Sequence, residues 1–260
     1  MFFDRIKLFI KRFKNSRKFG LFFFGAKNFS VPKKIKLNNK TINLCLPDEF
    51  GIKISFIEIF FDDVYELEWI KNFSIEKEIK IESIIDIGGN CGLTSLLFRK
   101  YFPDSIINCY EPNYELKKYL DHSSFHGDFN YFIEAVGNKS GKVKLNINNE
   151  ESILSKISNN KKGSTVLIPF KETLKRFKNK SIDIVKLDCE GSEWEILKDK
   201  ESWKKVKFLT MEYHLGKNNN DHKRILSFLD DIGFKKITDL STTNADYGMV
   251  LAYNTLKLSI

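Results

Sequence analysis

The sequence predicts an α/β protein whose core is a mostly parallel β-sheet covered by helices on both faces. From residue 83 onward, short apolar segments alternate with segments whose apolar residues recur at helical spacing. The last two apolar segments, 233–240 and 247–254, leave no room for a helix between them. The final strand should therefore run antiparallel to its neighbours. The 42% hydrophobic content of the 260 residues is enough to form a large core.

The same patterns assign the elements in chain order. Strands are predicted at 83–90, 105–112, 130–137, 142–148, 181–191, 206–214, 233–240 and 247–254. Helices are predicted at 93–102, 114–122, 172–178, 192–199 and 221–232. Upstream, residues 21–61 form a strand-rich lead-in with a turn at Asn38-Asn39, and residues 62–73 form a helix. We divide the chain into an N-terminal part, residues 1–55, and a main domain, residues 56–260.

Positive charge is concentrated in an N-terminal extension. Residues 1–40 hold twelve Lys or Arg and one acid, whereas residues 41–260 hold 31 basic and 33 acidic residues. The near-neutral body argues against a nucleic-acid groove, so no nucleic acid is expected as a partner. Residues 2–14 predict a basic amphipathic helix, with Phe2, Ile6 and Phe9 on its apolar side. Either residues 1–20 lie on an anionic membrane surface, or the helix packs its apolar side on the domain.

The four cysteines, at positions 45, 91, 109 and 189, are far apart and form no CxxC pair. This spacing is typical of free thiols in a reducing compartment. No apolar run reaches the ~20 residues that span a bilayer, and no cleavable leader pattern follows the basic start. We therefore expect a cytoplasmic protein, membrane-peripheral if its N-terminal helix binds lipid.

Four of the predicted strands end in polar or glycine-containing sequences. These are DIGGNCG (86–92), YEP (110–112), KLDCEG (186–191) and EYH (212–214). The carboxyl ends of parallel strands meet at one edge of an open sheet, and α/β proteins bind their ligands there. The sequence therefore places the candidate site at this edge.

The glycine turn after the first of these strands is the candidate cofactor site. Ile87 stands where a G-x-G-x-x-G nicotinamide fingerprint needs its first glycine, and the chain has no P-loop. Glu111 ends the next strand and can accept both hydroxyls of a ribose. Asp86 would repel a pyrophosphate and attract a cation, which favours a positively charged nucleoside such as S-adenosylmethionine. Alternatively, Asp86 and Asn90 only hydrogen-bond the turn.

Five segments resemble the FkbM-type methyltransferases, a class I S-adenosylmethionine-dependent family. In order, they are IIDIGGNCGLTSL, CYEPN, AVGNKSGKVKL, IDIVKLDCEGSEWEIL and LTMEYH, within residues 56–254. The most specific is KLDCEGSEWEIL, which is similar to the family's K-x-D-x-E-G-x-E-x-x-x-L signature. The chain departs from the family at Gly89, where Ala is usual, and at Ile133, where Asn is common.

This resemblance implies a Rossmann-like, doubly wound seven-stranded sheet. It also implies that Glu111 binds the cofactor ribose and that the turn surrounds the methionine moiety of S-adenosylmethionine. The turn residues concerned are Asp86, Gly88, Gly89, Asn90 and Gly92.

The other two strand ends carry the candidate catalytic residues, Asp188, Glu190, Glu212 and His214. An aliphatic hydroxyl must lose its proton to a base or near a metal when it is methylated. Either Asp188 and Glu212 share a divalent cation, or the site is metal-free with His214 as general base. Lys186 needs an acidic partner in its apolar strand. Glu193 either joins the site or complements a helix dipole.

The function predicted is S-adenosylmethionine-dependent O-methyl transfer to a hydroxyl of a sugar, glycan or similar small molecule. One alternative is a nucleotide-cofactor-binding protein such as an oxidoreductase, which Ile87 and Asp86 disfavour. Another is a non-catalytic Rossmann-like protein of surface-glycan biosynthesis, which the intact turn and the DxEGxE run disfavour.

Overall fold

The computed structural model describes residues 2–146, 156–158, 163–178, 181–214, 221–239 and 247–258. Its strands, in chain order, are β1 Lys34–Leu37, β2 Lys40–Asn43, β3 Ser83–Ile87, β4 Ile106–Tyr110, β5 Asn130–Phe132, β6 Ala135–Gly137, β7 Gly141–Asn146, β8 Lys156–Ser158, β9 Thr165–Pro169, β10 Ile182–Leu187, β11 Val206–His214, β12 Phe234–Asp239 and β13 Tyr247–Asn254.

Its α-helices are α1 Phe2–Arg17, α2 Phe50–Ile57, α3 Leu67–Glu76, α4 Leu93–Tyr101, α5 Lys117–Gly127, α6 Phe170–Lys175, α7 Glu193–Ile196, α8 Lys200–Trp203, α9 Asp221–Asp231 and α10 Thr255–Leu258. A π-helix, Glu58–Asp62, continues α2, and a 3₁₀-helix, Tyr114–Leu116, precedes α5.

The main sheet has seven strands in the order β12-β13-β11-β10-β3-β4-β5. The five strands from β11 to β5 pair in parallel. Strand β13 runs antiparallel to both β11 and β12. The predicted seven-stranded, mostly parallel sheet with an antiparallel last strand is therefore confirmed.

Both faces of this sheet are buried. In β3, Ile84 belongs to one apolar cluster, whereas Ile85 and Ile87 belong to the other. Strand β11 divides in the same way between Phe208 and Leu209. Successive strand residues point to opposite faces, so each face has its own core. The fold is doubly wound, as the sequence predicted.

The predicted strand at 130–137 is divided in the structure. Strand β5 stays in the main sheet, where the carbonyl of Phe132 accepts the amide of Glu111 at 3.0 Å. The chain then leaves that sheet, and β6 pairs in parallel with β9, which the sequence analysis did not predict. Strands β6, β9, β7 and β8 form a second sheet. The prediction of one strand at 130–137 is therefore wrong, because β5 pairs with β4 whereas β6 pairs with β9.

The lead-in is partly corrected. The hairpin of β1 and β2 turns at Asn38-Asn39 as predicted, with Asn38 at φ 53°. Residues 50–62, however, are helical, because Ile52, Phe56 and Phe60 recur at a spacing of four and are buried together.

The helix predicted at 62–73 begins later, at Leu67. Asp63 and Glu66 adopt left-handed backbone angles, which interrupt the helical path between the π-helix and α3. The carboxylate of Asp63 then accepts the amides of Leu67 and Glu68, at 3.0 and 2.9 Å.

Helix α1 packs its C-terminal half on the π-helix. Arg12 pairs with Asp62 at 2.6 Å, and the Asn15 amide donates to the carbonyl of Phe61 at 2.7 Å. Phe23 also contacts Phe61 edge to face, with ring centroids 5.3 Å apart. The boundary at residues 55 and 56 remains a prediction. Among the described residues, no helix is both long enough and apolar enough to cross a membrane.

Candidate functional site

A cavity of about 400 Å³ opens at the carboxyl ends of β3, β4, β10 and β11. Its turn side is lined by Gly88, Gly89, Asn90 and Glu111. Its acid side is lined by Asp188, Glu190 and Glu212. These seven residues come from four strand ends, so the structure brings together most of the site that the sequence indicates.

The turn after β3 brings the backbone close to a neighbouring strand end. The amides of Gly88 and Gly89 both donate to the carbonyl of Tyr110, at 2.9 and 3.1 Å. Gly88 has φ +78°, and a Cβ there would lie 1.5 Å from the carbonyl oxygen of Asp188. Only glycine fits this approach. Gly92, at φ +87°, is the N-cap just before α4 and packs against residues of α5, outside the cavity lining.

Glu111 links the turn to the end of β4. Its carboxylate accepts the amide of Asn90 at 2.9 Å and the amide of Asn113 at 2.8 Å. Its side chain is buried and lines the cavity. Burial raises the pKa of Glu111 to about 7, against the opposing effect of the two amide hydrogen bonds.

Asp86 lies beneath the turn instead of in the cavity wall. It is fully buried, accepts the Ser95 hydroxyl at 2.7 Å, and faces the Lys186 ammonium at 3.2 Å. Lys186 also donates to the carbonyl of Gly88 at 2.7 Å. Burial lowers the pKa of Lys186, but the attraction of Asp86 and Asp188 outweighs it and the net pKa is raised. The charge of Asp86 is therefore balanced within the protein.

Asp188 is held by a residue that the sequence analysis missed. The Tyr65 hydroxyl donates to Asp188 at 2.6 Å, across 123 residues of sequence. The Lys186 ammonium lies 3.9 Å from the same carboxylate and 5.2 Å from the centre of the Tyr65 ring. Tyr65 stands in the short break between two helices, so no periodicity singled it out. Only the tertiary contact reveals it.

His214 lies behind the acid side and contacts three carboxylates. Its ring nitrogens are 3.3 Å from Glu193, 3.4 Å from Glu190 and 3.5 Å from Glu212. It is not among the residues that line the cavity. Burial lowers the pKa of His214, but the hydrogen bond to Glu193 and the three negative charges raise it by more. The net pKa of His214 is therefore raised to about 9. The imidazole is therefore held in its cationic form at neutral pH.

Two glutamates beside His214 differ in environment. Glu193 is completely buried at the start of α7 and accepts the amides of Cys189 and Gly191, at 3.0 and 3.1 Å. Burial raises the pKa of Glu193, but the hydrogen bond to His214, the charge of His214 and the backbone hydrogen bonds together outweigh it, and the net pKa is lowered. Burial, reinforced by the charge of Asp188, raises the pKa of Glu212 instead.

The donor set does not fit the divalent cation that the sequence suggested for Asp188 and Glu212. Across the described parts of the chain, no group of three or more His, Cys, Asp or Glu residues is arranged to hold a metal ion. Tyr65 already occupies Asp188, and Glu212 faces the His214 imidazole.

The family follows from comparison with known domains. The methyltransferase FkbM domain matches residues 33–236. This chain belongs to the FkbM methyltransferase family. The match includes the glycine turn, Glu111 and the whole acid side of the cavity. No curated protein sequence matches this FkbM methyltransferase significantly.

Several solved structures are similar to this chain at low sequence identity. The METTL16 MTase domain has a TM-score of 0.51 at 10% identity, covering 82% of this chain and 73% of that chain. An O-methyltransferase family protein from Burkholderia thailandensis has a TM-score of 0.38 at 12% identity, covering 76% and 59%. M. capricolum TrmK in complex with S-adenosyl-homocysteine has a TM-score of 0.38 at 12% identity, covering 70% and 67%.

Proposed function

We propose that this FkbM methyltransferase transfers a methyl group from S-adenosylmethionine to a hydroxyl group of a sugar, glycan or similar small molecule. One observation carries the proposal. A single cavity is lined by the glycine turn, by the buried carboxylate of Glu111 at the position suited to a ribose, and by three further carboxylates, Asp188, Glu190 and Glu212. The first set suits a nucleoside cofactor, and the second suits deprotonation of an acceptor.

The turn side fits the cofactor. Each oxygen of Glu111 accepts one backbone amide, which leaves a further lone pair on each for a ribose hydroxyl. Gly88 and Gly89 expose backbone to the cavity without a side chain between. When bound, S-adenosylmethionine would supply a methyl group on a positively charged sulfur. The carboxylates that line the cavity favour that charge.

On the acid side, we assign the base to a carboxylate. Burial raises the pKa of Glu212 to about 8, so its ionised form is a stronger proton acceptor than an ordinary glutamate and becomes populated as the pH rises towards 8. His214 stands behind the cavity lining and is already protonated, so its role is to orient Glu190 and Glu212. Asp188, fixed by Tyr65, accepts a hydrogen bond from the acceptor hydroxyl and positions it.

The charge of the cavity supports the kind of acceptor. Besides the carboxylates already described, Glu58 and Glu134 line it. So many acidic groups in one enclosed space disfavour a phosphate-rich acceptor such as a nucleic acid. They favour a neutral molecule with hydroxyl groups, because carboxylates accept hydrogen bonds from hydroxyls.

The test is calorimetric titration of S-adenosylmethionine into wild type, Glu111→Ala and Glu115→Ala. Glu115 is the matched control, because it lies on the exposed 3₁₀-helix just after the cavity. We expect Glu111→Ala to weaken binding at least about tenfold, since two charge-assisted hydrogen bonds are lost. The control should bind as wild type does.

Binding by a folded wild type that Glu111→Ala leaves unchanged would refute the ribose assignment. No binding at all would favour the non-catalytic alternative. A protein that binds cofactor is then incubated with neutral sugars and their phosphorylated counterparts, and S-adenosylhomocysteine release is measured. Turnover that prefers the phosphorylated sugars would contradict the assignment of a neutral acceptor.

A further inference from the structure

The first half of helix α1 carries apolar side chains that the rest of the protein covers only in part. Phe3 is 75% exposed, Ile6 40%, Phe9 43% and Ile10 45%. Their spacing of three and four residues places them along one side of the helix. By contrast, Phe13, Asn15 and Ser16 farther along the helix are half-buried or buried against the body. Packing on the domain therefore accounts for the second half of the helix but not for the first.

Two more exposed aromatic residues lie beside this helix. Phe22 and Phe24 are 59% and 75% exposed, and their rings stack with centroids 6.3 Å apart. Phe23, between them, turns inward and contacts the Phe9 ring at 6.4 Å. The guanidinium of Arg17 covers the Phe22 ring at 4.5 Å. We name the exposed residues of both segments the N-terminal patch: Phe3, Ile6, Phe9, Ile10, Phe22 and Phe24.

The helix that carries most of the patch is rich in basic residues. Helix α1 contains six Lys or Arg and one acid. Arg12 pairs with Asp62 and thereby docks the helix on the body. Arg5, Lys7 and Lys14 lie on the exposed surface instead. Exposed positive charges and exposed large apolar side chains therefore occur together on α1, the combination that binds the interface of an anionic bilayer.

We propose that the N-terminal patch binds the surface of an anionic lipid bilayer, with α1 lying in the interface. Charge alone would also suit a nucleic acid, but a nucleic acid does not account for exposed Ile6 and Ile10. The bilayer accounts for both the charge and the aliphatic groups. This proposal does not depend on the reaction that the cavity performs.

The experiment is co-sedimentation of the full-length protein with two kinds of vesicle. One is phosphatidylcholine alone, and the other contains about 30 mol% of the anionic lipid phosphatidylglycerol. The apolar variant is Phe3→Ser with Ile6→Ser, and the charge variant is Arg5→Glu with Lys7→Glu. We expect each to lower the partition coefficient on anionic vesicles by about tenfold or more. Wild type should bind neutral vesicles much more weakly.

Matched controls use exposed residues elsewhere. Phe125→Ser removes an aromatic side chain that is 82% exposed on α5. Lys139→Glu with Lys142→Glu changes net charge as the charge variant does, at two exposed positions. Both controls should bind like wild type, and circular dichroism confirms that all variants are folded. Equal binding by the apolar variant and wild type would overturn the proposal. So would tighter binding to a single-stranded RNA than to anionic vesicles.

Discussion

The two sides of the cavity are built by different means. The turn side is made of backbone, with the amides of Gly88 and Gly89 bonded to the next strand and Glu111 closing the turn. The acid side is made of side chains, and Tyr65 reaches Asp188 across 123 residues of sequence. The turn side can therefore be recognised from a short segment. The acid side depends on how distant segments are brought together.

Lys186 connects the two sides. It pairs with Asp86 beneath the turn, lies 3.9 Å from Asp188 on the acid side, and donates to the carbonyl of Gly88. Fully buried, it neutralises carboxylates that would otherwise repel one another in a low-dielectric interior. Substitutions at Lys186 and on either side of the cavity can therefore test whether the turn side depends on backbone approach and the acid side on side-chain charge.

The largest expected effect is at Lys186. Lys186→Met leaves Asp86 buried without its cation, which should lower the free energy of unfolding by about 3–5 kcal/mol. Urea denaturation followed by circular dichroism measures the change. Lys200→Met is the control, because Lys200 pairs with Asp231 on the surface, where an ion pair contributes about 0–1 kcal/mol.

A second substitution distinguishes the effect of an uncompensated buried charge from a simple change in packing. Adding Asp86→Asn to Lys186→Met removes the uncompensated charge, so part of the lost stability should return. If the double variant were no more stable than Lys186→Met alone, the link between the two sides would be steric and not electrostatic.

The next effect is on the turn side. Gly88→Ala and Gly191→Ala both place alanine at positive φ, +78° and +98°. A Cβ at Gly88 meets the Asp188 carbonyl at 1.5 Å, whereas at Gly191 nothing lies within 4 Å. Gly88→Ala should therefore cost about 1–3 kcal/mol more than Gly191→Ala in the same denaturation assay. Equal losses would mean that backbone angle, not close approach, fixes glycine at position 88.

The smallest effect is a pH dependence of cofactor binding. Because the pKa of Glu111 is about 7, its carboxylate is protonated below that pH and can no longer accept both ribose hydroxyls. Affinity for S-adenosylmethionine should be constant above pH 7 and fall towards about tenfold per unit below it. Calorimetry at several pH values measures this slope.

Glu111→Gln is the control for that measurement, because its amide does not titrate. Its affinity should be lower than that of wild type but should lose the change in slope near pH 7. The same slope in both proteins would place the titrating group elsewhere, with Glu212 as the first candidate because its pKa is also raised.

Several features of the fold were predictable because they are local. Alternating apolar segments identified β3, β4, β10, β11 and β13, and the short gap before β13 gave its direction. The lead-in was less predictable. Residues 50–62 are helical because Ile52, Phe56 and Phe60 share a core with distant residues, and the strand at 130–137 divides because two sheets compete for it. The pairing partners that decide these cases are distant in sequence, so a short segment does not reveal them.

Sequence patterns alone identified most strands of the main sheet along the chain, the glycine turn, the position of Glu111 at a strand end and the excess of positive charge in residues 1–40. These depend on periodicity and on residue type at fixed spacing, which a linear chain displays directly. The tertiary structure was needed to show that Lys186 neutralises Asp86, that Tyr65 holds Asp188 and that three carboxylates surround His214 and raise its pKa. Each of these depends on burial and on charges brought close by distant segments, because electrostatic energies are set by distance and solvent exposure.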